Sequence, residues 1–168
     1  MKKKHLNNIK GVTLVELVLY MGILSVLLVL FVDLFGTMVQ RQLETESLSS
    51  VQQDGAYILS RLSHDFQNAS HIDFPTTPGA TADTFRLNIQ SVPYDFSVSN
   101  GNLVITHEST SEQINSYDTS IVNIMVERLG DGNEGDVLHI EFTLQSKVKK
   151  QGAYEVSQFS TTQAIREK

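Results

Sequence analysis

Glu16 stands where its neighbours offer a charge no welcome. From Leu17 to Val32 no side chain carries a charge, so Glu16 is a lone carboxylate at the head of a membrane-length apolar run. On insertion scales a central acidic residue costs about 2.5–3.5 kcal/mol, and such groups persist with a partner or a task. A carboxylate in the first turn of a helix also faces the positive end of the helix dipole. The chemistry to expect is therefore ion pairing rather than bond making. Before the run comes a polar, basic stretch that carries Lys2, Lys3, Lys4 and Lys10 and ends at Gly11.

Gly11-Val12-Thr13-Leu14-Val15-Glu16 resembles the class III signal of type IV pilin-like prepilins: Gly, usually Phe, then Thr-Leu-Val-Glu. Val12 stands where that pattern usually has Phe. The resemblance implies that a membrane-embedded prepilin peptidase cuts after Gly11 and methylates the new N-terminus at Val12. The leader is then residues 1–11, and Glu16 is the assembly residue. Once the bond is cut, Val12 bears an ammonium and Glu16 lies one turn up the same helix face. Glu16 can then pair with its own Val12 or with that of an incoming neighbour; the second choice also sets axial register between subunits. The partners implied are the peptidase, other pilins or pseudopilins bound through the N-terminal helix, the inner-membrane assembly platform and membrane lipid. A secretory signal peptide would instead end in small residues of an Ala-x-Ala-like pattern. Phe31-Val32-Asp33-Leu34-Phe35-Gly36-Thr37-Met38 offers none. A plain single-pass anchor satisfies the apolar length but leaves Gly11 and Glu16 without a reason.

The elements that must position these residues follow from periodicity. Residues 12–35 read as a transmembrane helix, with Gly22 and Ser25 small enough for close helix approach and Asp33 at the membrane surface, a second assembly contact being the alternative. The helical pattern continues over 36–72, outside the membrane. There Val51, Gly55, Ile58, Leu59, Leu62, Phe66 and Ala69 recur at three- and four-residue steps, one apolar stripe that needs covering. Arg61 and Asp65 pair four apart on its outer face, and His64 and His71 share a face as surface residues. Pro75 and Pro78-Gly79 stop the helix.

Residues 73–168 read as an antiparallel β-sheet. Thr84–Gln90 and Tyr94–Val98 alternate, with Phe85, Leu87 and Ile89 on one face. Asn100-Gly101 is a hairpin turn, Leu103–Thr106 its return strand, and Glu108 to Thr119 a hydrophilic loop. Ile121–Leu129, Val137–Leu144 and Tyr154–Ile165 complete the sheet. The order is α+β and resembles the pilin fold, a long N-terminal helix packed on a C-terminal sheet. More narrowly it resembles the minor pilins and J-type pseudopilins of type II secretion. That likeness rests on Leu59–Asp65, the strand at Ile121–Leu129 and the closing Phe159-Ser160-Thr161-Thr162-Gln163-Ala164-Ile165-Arg166.

The 168 residues suit one membrane segment and one small domain. Without residues 1–11 the chain loses four of its 13 basic residues against 19 acidic ones, leaving nine and a formal charge of −10. Such a surface argues against direct nucleic-acid contact, which needs clustered Lys and Arg. Cysteine is absent, so the C-terminal disulfide loop of many major pilins cannot form. The basic leader stays cytoplasmic by the positive-inside rule, which puts the C-terminal domain on the far side; the resemblance implies that the membrane is the inner one and that the chain enters a filament after assembly. Gly130–Asp136 crowds Asp131, Asn133, Glu134 and Asp136 onto one loop, a calcium candidate without EF-hand spacing; a turn-rich connector is the plain alternative. His5, His64, His71, His107 and His139 fall into no zinc or nucleophile motif, so no enzyme is expected and no cofactor beyond that calcium. The function implied is a structural subunit that initiates or caps a pilus or pseudopilus. A competence or adhesive tip subunit on the same scaffold is the alternative.

Overall fold

The computed structural model describes residues 12–129, 137–150 and 152–165. The chain divides into two compact units, Met1–Arg41 and Gln42–Lys168. Helix α1 (Leu14–Asn68) contributes to both.

In the first unit α1 is apolar on every side. Among the described residues of this unit all are exposed except Glu16, which is half-buried. The helix is long and apolar enough to cross a membrane. Hydroxyls in this stretch are satisfied within it: Ser25 Oγ donates to the Met21 carbonyl at 2.7 Å, and Thr37 Oγ1 to that of Asp33 at 3.0 Å. Such back-bonding lets a polar side chain sit in an apolar surrounding without an unmet donor.

In the second unit the same helix becomes one-sided. Ser47, Val51, Gly55, Ile58, Leu62, Asp65 and Phe66 are its buried residues, so the expected stripe is the packing face. Among the described residues nine strands follow: β1 (Ala69–Phe74), β2 (Thr81–Ala82), β3 (Phe85–Ile89), β4 (Val92–Ser99), β5 (Asn102–His107), β6 (Thr110–Gln113), β7 (Thr119–Arg128), β8 (Val137–Lys150) and β9 (Ala153–Ala164). They form two antiparallel sheets rather than the single one expected, in the orders β1-β3-β4-β5-β6 and β2-β7-β8-β9. The break falls after β6, where the chain turns through a buried residue, Asn115. Its Oδ1 accepts from Leu103 N at 2.8 Å and its Nδ2 donates to the Thr119 carbonyl at 3.1 Å. Those bonds meet backbone groups that a continuing ladder would otherwise pair. The layout is α+β, with helix and both sheets sharing one core that includes Ile58, Leu62, Phe66, Phe85, Ile105, Val126 and Ile140.

Further expectations shift. The helix ends at Asn68, not at 72, and Ala69 opens β1 directly. Asn68 Nδ2 donates to the His64 carbonyl at 2.8 Å, meeting one carbonyl of the last turn. Glu108 to Thr119 is not all loop, because β6 pairs with β5 as an exposed edge strand. Hydrophilicity argues only that the segment is not buried, and an edge strand need not be. The Asn100-Gly101 turn forms as expected, with φ of 52° and 76°. Gly101 is constrained twice over: its carbonyl accepts from Ile121 N at 2.7 Å, and an added Cβ would lie 3.2 Å from Ser120.

Candidate functional site

The first turns of α1 hold the expected site. Gly11 lies outside the described residues; Val12 is exposed. Thr13 caps the helix. Its Oγ1 accepts from the Glu16 backbone N–H at 3.2 Å, and its carbonyl from Leu17 N–H at 3.1 Å. The sequence signal is Thr13-x-x-Glu16, the capping-box spacing. Glu16 thus has its backbone in the cap and its side chain free for other work. That side chain is engaged by Tyr20, whose hydroxyl donates to Glu16 Oε1 at 2.6 Å. A phenol four residues on shares the face of its partner, and 2.6 Å lies in the charge-assisted O–H···O⁻ range. Sequence reasoning misses Tyr20, which counts there as one more apolar residue of the run. Its i+4 spacing from the lone carboxylate is the available signal.

Chemically, this constellation can receive a cation. Glu16 keeps a second oxygen, a carboxylate offers about four acceptor positions in all, and the described residues of the first unit bring no Lys or Arg to this end of the helix. Candidate calcium ligands Asp131, Asn133, Glu134 and Asp136 lie outside the described residues.

Within the second unit the polar side chains work on structure. Arg61 Nε reaches Asp65 Oδ2 at 3.1 Å, the expected pair, and its Nη2 reaches Glu112 on β6 at 3.3 Å. Asp65 is not on an outer face, however; it is buried, which Arg61 makes tolerable. Burial pulls the Arg61 guanidinium down, but the charge of Asp65, its hydrogen bond and the charge of Glu112 outweigh it and leave the group above its ordinary value. His64 and His71 do not share a helix face, since His71 lies on β1 and pairs with Asp73 at 2.8 Å. Asp54 carries no mark in the sequence. Its Oδ2 accepts from Ser116 N at 2.9 Å, from Ser116 Oγ at 2.7 Å and from Thr119 Oγ1, so it clasps the turn between the sheets to the helix.

No family model, no curated protein and no solved structure matches this chain. The class defined by its own residues is an α+β protein with one apolar N-terminal helix, capped by Thr13 and carrying a tethered carboxylate in its first turn.

Proposed function

We propose that this chain is a prepilin-like subunit of a type IV filament system, a minor pilin or pseudopilin that helps to initiate or cap the filament. One observation carries the reading: Gly11-Val12-Thr13-Leu14-Val15-Glu16 stands at the mouth of an exposed apolar helical segment whose only half-buried described residue is Glu16. A membrane anchor needs neither the Gly nor the acid. Prepilin peptidase cuts between Gly11 and Val12 and methylates Val12. The Thr13 cap lies downstream of the cut, so the mature helix keeps it. The subunit waits in the inner membrane with its C-terminal domain outside, then docks through its N-terminal helix onto other pilins at the assembly platform. Glu16 meets the Val12 ammonium there. An incoming ammonium offsets the desolvation that an unpaired carboxylate would carry, so a pair made between subunits favours docking and sets its axial register.

The test is intact mass after coexpression with a prepilin peptidase. Loss of residues 1–11 and a methylated Val12 are expected, and Gly11→Val should leave the full-length precursor. A cut beyond Phe31 would replace the reading with a secretory signal, and no cut at all would leave a plain anchor.

A further inference from the structure

We propose that Tyr20 is the positioning residue for Glu16: its hydroxyl tethers one carboxylate oxygen to the helix surface and presents the other to the Val12 ammonium of a second processed copy of this chain. The inference rests on the assembly reading above and adds to it how the acid is held before its partner arrives.

The argument starts from the cost of leaving Glu16 alone. Where water is scarce, an ionised carboxylate needs a donor, and among the described residues the Tyr20 hydroxyl supplies it at 2.6 Å. Thr13 is occupied in the cap, receiving the Glu16 N–H at 3.2 Å. Both residues lie in the first unit, so the geometry needs nothing from the folded domain. The tether also removes the rotamer freedom of a long side chain, so docking need not meet that ordering cost. A phenol suits the role because it is neutral. A Lys at this position would satisfy Glu16 for good and leave nothing for an incoming ammonium, whereas a single hydrogen bond leaves the negative charge in place.

The test uses full-length chains, processed by prepilin peptidase and reconstituted in phospholipid vesicles, with association between two differently labelled copies read by energy transfer. Tyr20→Phe keeps the ring and loses the donor; it should weaken association about 5- to 30-fold, the ordering cost of one long side chain that the tether meets beforehand. Tyr20→Gln loses the ring but keeps a donor, and should recover association to within a few fold of wild type. Glu16→Ala should weaken association at least as much as Tyr20→Phe, and the double variant no further than Glu16→Ala. If Tyr20→Phe associates like wild type while Glu16→Ala does not, the positioning role falls and the assembly reading stands. The positioning role falls in the same way if Tyr20→Gln is lost and Tyr20→Phe retained, since the ring would then matter rather than the hydroxyl. If Glu16→Ala associates like wild type, both fall together; if wild-type copies do not associate at all, the positioning role toward a second copy falls and the assembly reading, which needs only other pilins, stands.

Discussion

Leu24 and Leu62 are the same residue on the same helix, yet Leu24 is 62% exposed and Leu62 1%. The two regions of α1 differ in composition, uncharged and apolar from Leu17 to Val32 but mixed from Gln42 to Asn68, and so in what they are built to touch. Around Leu24 the helix is apolar on all sides and its small residues face open space. Around Leu62 the apolar residues form one stripe, and small residues mark where another element presses close. The lesson is that α1 contains two solutions to one problem. One leaves its apolar surface uncovered, and the other brings its own cover in the form of two sheets.

The largest expected effect sets those two leucines against each other. Leu62→Ala should destabilise the folded domain by about 2–5 kcal/mol, the usual cost of emptying a core position. Leu24→Ala should leave the urea midpoint of the detergent-solubilised chain unchanged, with β-sheet circular dichroism as the readout. Equal losses from both would mean that the first region also holds the domain together.

Glycine sharpens the contrast. A Cβ on Gly55 would lie 2.2 Å from the Phe159 ring, itself stacked on Phe142 at 5.4 Å. Gly55→Ala should therefore cost about 1–3 kcal/mol through overpacking. Gly22 has nothing within 4 Å, so Gly22→Ala should keep domain stability and raise helix propensity by about 1 kcal/mol. Thermal unfolding of the two variants side by side checks the sign.

Next comes the clasp. Asp54→Ala strands three donors that Ser116 and Thr119 now aim at one oxygen, a loss of about 1–3 kcal/mol if those groups stay dry. Hydrogen exchange at Ser116 should rise with it. The smallest effect belongs to Arg86, whose Nε lies 2.6 Å from Asp95 across β3 and β4 with both side chains nearly half exposed. Asp95, through its hydrogen bond and then its charge, holds this guanidinium above its ordinary value. Even so, an exposed pair is worth about 0–1 kcal/mol. Arg86→Ala should shift the urea midpoint barely, and less still at high salt.

Much of the fold is legible in residue order alone. The stripe from Val51 to Phe66 is buried as its spacing demands, and Phe85, Leu87 and Ile89 share an inward face. What escapes such a reading does so for identifiable reasons. In β1 the register shifts twice, between Ala69 and His71 and between Ile72 and Phe74. Those bulges put the buried residues Ala69 and Ile72 three apart, which is helical spacing, so a strand imitates the last turn of a helix. Strand β6 stays hidden because an edge strand needs no apolar face. Asn115 and Asp54 stay hidden because a polar residue's burial depends on partners brought from distant parts of the chain. At the candidate site Glu16 stands out as the one charge in its run. Tyr20 does not, because a hydroxyl is invisible to hydropathy and its meaning comes only from the carboxylate it reaches.

The junction at Asn68 and Ala69 has a mechanical meaning. With no intervening residues between the last helical turn and the first residue of β1, the joint has no slack. A rotation or an axial pull on that turn has no compliant linker to absorb it, so it loads the β1–β3 ladder directly. A pulling experiment should find β1 giving way together with the end of the helix, as one lever rather than two parts in series.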